Sequence, residues 1–375
     1  MSVADKIKIC FVSPKAYPVF NPKVKGTIGG AEIDFYYLST ELAKDDRFDI
    51  SIVVADYGQE DHELIENVKV IKGGKFKGSV LWNTYKFWAA FRKASSDIYL
   101  IKSISWGIFL LGLFCLKNRK EFVYRTAHSS HCDGAYIKRN PIKGWLFKKV
   151  IRNAKIVFTQ NKSDQSDLLR TARVKSIYIP NGHRATKAKT SLRDEILWVG
   201  RSAAFKNPEL FLRLAESYKN EKFVMICQKA TGDRSFLSLV EKASRIDNLE
   251  FIEGVSFDKI EHYFAKAKVF INTSDSEGFP NTFIQACKHG VPILSTNVNP
   301  DGFLDKYKCG ICADGDHSRV AEALRDLLVK DEYCGYGENA RWYFEGNHDV
   351  KKIIEEYKKI FVKSMSEEKE YLEAN

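Results

Sequence analysis

The chain reads as an α/β protein of parallel sheets wrapped by helices, divided into more than one domain. Three observations carry that reading. Short apolar runs alternate with helical patterns along the chain, as in parallel sheets covered on both faces. The stretch 269–296, VFINTSDSEGFPNTFIQACKHGVPILST, reads as a complete strand–loop–helix–strand unit. The 375 residues exceed what one core usually serves, and the polar, basic run 183–194, HRATKAKTSLRD, has the composition of an interdomain linker.

In the first half, residues 7–12 form a buried strand. A polar loop with three prolines follows, then Thr27-Ile-Gly-Gly-Ala-Glu32 and a helical pattern to about Ala43. Gly29 and Gly30 let backbone N–H groups approach a phosphate or sugar closely, although the same residues also make a tight turn. Residues 49–54 and 68–71 read as strands. The helix predicted over 79–94 mixes Trp82, Tyr85 and Trp88 with Lys86, Arg92 and Lys93. Such a mixture suits an interfacial helix, or rings in the core and cations in water. The longest apolar run, 104–116, is too short to span a bilayer and is expected to be a buried helix. Strands at 97–101, 121–124 and 155–159 follow, separated by helices. Trp145, Lys148, Lys149 and Arg152 repeat the aromatic–basic mixture. IYIPNG, residues 177–182, closes this half.

The second half opens with a strand, Glu195-Ile-Leu-Trp-Val-Gly-Arg201, and then Phe205-Lys206-Asn207-Pro208. Strands follow at 223–226 and 249–252. In the stretch 269–296, Val269 to Ile271 is long enough for a buried strand. Thr273 to Gly278 has loop chemistry. Pro280 suits the first turn of a helix, whose apolar stripe is Phe283, Ile284 and Cys287 and which Gly290 ends. Such a unit places its loop at the carboxyl end of a parallel sheet, where open α/β sheets bind ligands. Backbone N–H groups from Gly278 to Thr282 are expected to face an anion, with Glu277 at the rim. Residues 299–302 read as a turn, and 316–330 and about 349–372 as amphipathic helices.

Composition narrows the partners. The first residues are charged and lead into a strand, so no signal peptide is expected. Eight cysteines without a framework fit a reducing cytoplasm. Cys309 and Cys312 form a lone CxxC with no second ligand pair for zinc. Net charge is +11, with +13 in residues 1–180 and −2 in the remainder. The first half should therefore meet something acidic.

The motif S-x-x-E-G-F-P-x-x-x-x-x-A-x-x-x-G-x-P resembles the donor-sugar motif of the retaining glycosyltransferases of family 4, the glycosyl transferases of group 1. The resemblance implies the GT-B fold: two Rossmann-like parallel-sheet domains facing across a cleft, with the C-terminal helix crossing back to the first. It places an acceptor-side domain at 1–182, completed by about 349–375, and a nucleotide-sugar domain at 183–348. Glu277 matches the acidic residue that contacts donor-sugar hydroxyls. Gln285 stands where the family has a Glu for the ribose. It can still hydrogen-bond a diol, without charge assistance. Gly200-Arg201 with Lys206 resembles the element that neutralises the departing diphosphate. Phe251-Ile-Glu-Gly-Val255 resembles the base-reading loop, and Gly29-Gly30 the loop over the cleft. A histidine after strand 121–124 lies beside the transferred sugar in the family. His128 is taken as the candidate, with His131 the alternative. Catalytic roles then fall to Glu277, His128, Arg201 and Lys206. Donor contacts fall to Gly29, Gly30, Arg201, Lys206, Val255, Glu277, Gly278, Phe279, Pro280, Asn281, Thr282 and Gln285.

The expectation is a retaining hexosyltransferase using a nucleotide-diphosphate sugar, a UDP-sugar ahead of a GDP-sugar, with no other cofactor. Asp275, Asp314 and Asp316 invite a metal, but Arg201 and Lys206 can supply the same charge, so no metal is expected. The expected acceptor is a glycan or a lipid-diphosphate-linked glycan in bacterial surface polysaccharide synthesis. The expected location is the cytoplasm, peripheral on an anionic membrane face. Three other readings compete. An epimerase or hydrolase of the same fold would need a carboxylate pair that is not evident. A basic nucleic-acid binder or DNA-glycosylating enzyme would draw on the charge of the first half, yet no recognition helix stands out. A non-catalytic sugar-nucleotide binder would suit Gln285.

Overall fold

A computed structural model describes residues 6–102, 104–186, 193–230, 232–257, 259–329 and 333–373. The chain divides into two compact units, Met1–Arg184 with Asp349–Asn375, and Ala185–His348. Residues 187–192 of the run 183–194 lie outside the described residues.

The first unit is built on eight strands. They are β1 (Ile7–Val12), β2 (Phe48–Val54), β3 (His62–Ile65), β4 (Val68–Lys72), β5 (Ile98–Lys102), β6 (Glu121–Arg125), β7 (Ile156–Thr159) and β8 (Ile177–Tyr178). Their order is β3-β4-β2-β1-β5-β6-β7-β8, and every pair is parallel except β3 with β4. Strands β5 and β6 are buried throughout and β1 from Ile9 onward, because helices cover both faces. The helices are α1 (Gly30–Leu42), α2 (Val80–Ala94), α3 (Trp106–Asn118), α4 (Pro141–Arg152) and α5 (Lys162–Ala172). The β3–β4 hairpin was not expected. It turns through Glu66 and Asn67, both at positive φ, as a two-residue type I′ turn requires.

The second unit has six parallel strands. They are β9 (Glu195–Arg201), β10 (Lys222–Gln228), β11 (Leu249–Ile252), β12 (Ala267–Asn272), β13 (Ile293–Ser295) and β14 (Gly310–Cys312). Their order is β11-β10-β9-β12-β13-β14. The order reverses between β9 and β12, so the loops leaving those strands diverge there. Helix α6 (Pro208–Ser217) follows β9, and α7 (Asn281–Lys288) follows β12. Cys309 and Cys312 are both buried in the core of this sheet.

The chain then returns to the first unit as α8 (Val350–Glu373). Ile353, Ile354, Tyr357 and Phe361 join the core that lies between α1 and the sheet. Backbone from His183 bridges to Asp349, and a Cβ on Gly182 would stand 3.0 Å from the Val350 Cα. Glycine is needed there for close approach.

Beneath this crossing lies a buried charge network. The Asp34 carboxylate accepts from Lys102 Nζ at 2.7 Å and from Arg125 Nε at 2.8 Å. Arg125 also donates to the Ile179 carbonyl, the Asn181 side chain and, at 2.5 Å, the Tyr357 hydroxyl. Burial alone would raise the Asp34 pKa, but Arg125 and Lys102 outweigh it and hold the carboxyl below its ordinary value. The network ties α1, β5, β6, the PNG segment and α8 together. Asp34→Ala leaves two cations buried without a counter-charge and should cost about 3 kcal/mol or more, read from chemical denaturation. A change below about 1 kcal/mol contradicts this account of the network.

One expectation fails. The run 104–116 was read as a buried helix, yet α3 buries only one face, through Ile108, Leu111, Phe114 and Cys115. Trp106 is 71% exposed and Leu116 73%. Apolar composition alone does not distinguish a helix covered on all sides from one that lies on the outside of a sheet.

Candidate active site at the centre of the second sheet

The two loops that leave β9 and β12 are tied to each other. The buried Trp198 indole donates to Thr273 Oγ1 at 2.9 Å, and that hydroxyl donates onward to the Lys206 carbonyl at 2.6 Å. The Asp275 N–H donates to the Phe205 carbonyl at 2.8 Å. These bonds set Lys206 against Glu277. The Lys206 ammonium donates to Glu277 Oε1, which also accepts from Ser274 Oγ at 2.8 Å. Both side chains are largely shielded, Lys206 at 15% and Glu277 at 13% exposed, so the pair is worth more than a surface ion pair.

Arg201 ends β9 and is half-buried. Its guanidinium has no hydrogen-bond or ion-pair partner among the described residues, although it lies one short loop from Lys206. A shielded cation without an anion is a site prepared for one. Gly200 precedes it, and a Cβ there would stand 2.7 Å from the Trp198 ring. Only glycine lets β9 end beside that indole.

Val255 follows Gly254, whose φ is +129° and whose Cβ would stand 2.9 Å from the Gln228 side chain. Glycine thus sets the turn that brings Val255 beside the end of β10. Pro280 is the N-cap of α7 and no side chain caps that helix. Asn281 and Thr282, in its first turn, are half-buried. Gly278 and Pro280 are buried. Phe279 turns its ring inward against Phe303 and His348, with centroids 5.1 and 4.7 Å away. This segment can therefore meet a ligand through backbone, Glu277, Asn281 and Thr282, whereas the Phe279 ring belongs to the core. Gln285 is buried in the middle of α7. Asp314 pairs with Arg319 at 3.0 Å, and Asp316 accepts from Ser318.

The remaining candidates lie in the first unit. Gly29 is the N-cap of α1, and its N–H donates to Glu32 at 2.9 Å. Glu32 thereby takes the place that an anion was expected to fill at that N–H. His128 and His131 follow β6, with rings 6.0 Å apart. His128 Nδ1 accepts from the Ser130 N–H at 3.1 Å, which puts the proton of the neutral ring on Nε2. His131 packs against Tyr136 and its Nδ1 is buried without a partner. Burial, with His128 adding, pushes its pKa down to about 3. Of the two, His128 is the one whose tautomer a hydrogen bond fixes.

Sequence reading missed Trp198, Thr273 and Ser274 as parts of the site. Their task is to fix the loops, and only the S-x-x-E spacing hinted at the bond from Ser274 to Glu277.

Residues 193–330 match the family model described as glycosyl transferases group 1. An uncharacterized glycosyltransferase of Methanocaldococcus jannaschii is 22% identical over 89% of this chain and 95% of its own length. Among solved structures, sucrose-phosphate synthase of Thermosynechococcus elongatus superposes with a TM-score of 0.76 at 16% identity, over 96% of this chain and all of that one. HepE of Anabaena, solved in complex with UDP, gives 0.71 at 14%, over 95% and 100%.

The histidine assignment predicts a titration. Folding lowers the His131 pKa from 6.5 to about 3, so the unfolded chain takes up that proton first. This histidine then contributes a loss of stability as pH falls from about 6.5 towards 3. A histidine NMR titration, assigned with His131→Gln, should show its resonance unchanged between pH 8 and pH 5. A midpoint near 6.5 contradicts the burial described.

The chain is a glycosyltransferase of the GT-B type, and its second unit resembles the glycosyl transferases of group 1.

Proposed function

We propose that the protein is a retaining hexosyltransferase. It moves a hexose or N-acetylhexosamine from a nucleotide-diphosphate sugar, with UDP as the preferred nucleotide, to a hydroxyl of a glycan or lipid-linked glycan. The observation that carries this reading is the shielded Lys206–Glu277 pair, its lysine on the loop that follows a half-buried Arg201 with no partner among the described residues. Support for uridine comes from the fold likeness to HepE in complex with UDP.

In this reading the diphosphate accepts from Arg201 and draws Lys206 from Glu277. Glu277 is then released to the hydroxyls of the sugar. Phosphate binding and sugar binding thus become one event, because one ion pair must open for both. As the anomeric C–O bond breaks, charge grows on the leaving phosphate, and fixed cations aimed at it lower the barrier. The acceptor hydroxyl attacks the face that the phosphate leaves, and its proton passes to the departing phosphate oxygen. The configuration is therefore retained. Arg201 and Lys206 supply the charge without a metal, and the basic first unit takes the acceptor. Work on a lipid-carried acceptor in surface polysaccharide synthesis fits a cytoplasmic enzyme that visits the membrane.

Arg201→Ala should weaken UDP binding by about tenfold or more, since a hydrogen bond to a charged group contributes about 1.5–3 kcal/mol. Uridine binding should stay close to wild type. Equal loss for both ligands, read by titration calorimetry, contradicts a phosphate role. Glu277→Gln should slow turnover by at least about tenfold, roughly 1.4 kcal/mol of barrier, while UDP affinity holds or rises. Unchanged turnover contradicts its role, and an inverted product linkage by NMR contradicts retention.

A further inference from the structure

Helices α2, α3 and α4 cover one face of the first sheet side by side. Trp88 of α2 meets Phe114 of α3 with ring centroids 5.1 Å apart. Gly112 of α3 sits where a Cβ would lie 3.0 Å from Val150 of α4. Their inner sides form one core with the sheet. Their outer sides hold nine of the sixteen large hydrophobic residues found exposed among the described residues. Leu81, Trp82 and Tyr85 stand out on α2, Trp106, Leu113 and Leu116 on α3, and Ile142 and Trp145 on α4. On α3 and on α4 these fall at helical spacing on one side. With helices 8–10 Å apart and about 18 Å long, the face measures roughly 20 Å by 20 Å.

The charge on this face has one sign. The three helices carry eight lysines and arginines and no aspartate or glutamate. Each sets a lysine over an exposed tryptophan or borrows one from its neighbour. Lys86 lies 5.8 Å from the Trp82 ring, Lys143 of α4 lies 5.4 Å from Trp106 of α3, and Lys149 lies 5.4 Å from Trp145. Cations held over the faces of indoles lie at the level where indoles prefer to sit in a bilayer interface.

We infer that α2, α3 and α4 form a single docking face for an anionic lipid bilayer, with α3 as its central strip. Aliphatic tips enter the headgroup–acyl boundary while cations meet lipid phosphates. A second copy of the chain fits poorly, because a twofold contact would set eight cations against eight. Nucleic acid would satisfy the cations but leave Leu81, Leu113, Leu116 and Ile142 without a partner. The inference deepens the reading of a lipid-carried acceptor and rests on it only for its purpose. Binding can be measured without donor or acceptor, so either reading can fail alone.

The test is co-sedimentation of the full chain with phosphatidylcholine vesicles, with and without phosphatidylglycerol. Binding should require the anionic lipid at low ionic strength and be lost at about 1 M salt, where the Debye length is about 3 Å. The pair Leu113→Glu and Leu116→Glu should lower the partition coefficient at least about tenfold, with the unfolding temperature unchanged. Should that pair fail to fold, Lys117→Glu with Lys143→Glu is expected to do the same. Wild-type partitioning of a folded α3 variant overturns the inference. So does equal binding to both vesicles, or none to either. Tighter binding to duplex DNA than to anionic vesicles overturns it too, as does a dimer in solution that the Leu113→Glu and Leu116→Glu pair abolishes.

Discussion

The Lys206–Glu277 ion pair is the contact on which the candidate site depends. Two loops leave neighbouring strands where the strand order reverses, and nothing in sheet geometry alone would hold them in register. The chain from Trp198 through Thr273 to the Lys206 carbonyl fixes the backbone, and the ion pair fixes the side chains. Arg201 is left as the charge not consumed by this arrangement. A half-buried cation without a partner adds nothing to stability by its position, since shielding a charge from water costs free energy unless it is paired.

The two units solve the same problem with different chemistry. In the second, charge is arranged so that a ligand can enter the pairing. In the first, Asp34, Lys102 and Arg125 are buried, and the two cations bond to Asp34 and further to Asn181, Ile179 and Tyr357. Little remains there for a ligand, so this network serves to lock the PNG segment and α8 onto the sheet. The contrast is between a charge cluster closed around Asp34 and one that leaves a half-buried Arg201 with no partner among the described residues.

Much of this was legible in the residues. Strand β1 was read with the bounds it has, because six apolar-rich residues flanked by charge leave little choice. Arg201, Lys206 and Glu277 were picked out through their match to motifs of the resembled family, and the fold brings Lys206 and Glu277 together. What escaped had weak local signals. Strand β3, HELI, is half exposed on an edge and turns through Glu-Asn where Asn-Gly would have announced a hairpin. The helix Tyr333–Asn347 carries three glycines that argue against it, and Gly337 is there because a Cβ would stand 2.4 Å from the Gly290 carbonyl. Glu32 was passed over because its partner is a backbone N–H three residues earlier. The outward side of α3 was misread because hydrophobicity reports affinity for apolar surroundings and not which surroundings are present.

The measurement that bears most directly on the central claim is a co-crystal structure with UDP. The account predicts diphosphate oxygens within hydrogen-bond distance of the Arg201 guanidinium and Lys206 ammonium, the Lys206–Glu277 contact opened, and the base beside Val255. A nucleotide bound elsewhere, or one whose phosphates leave Arg201 unpaired and the Lys206–Glu277 pair closed, would contradict it.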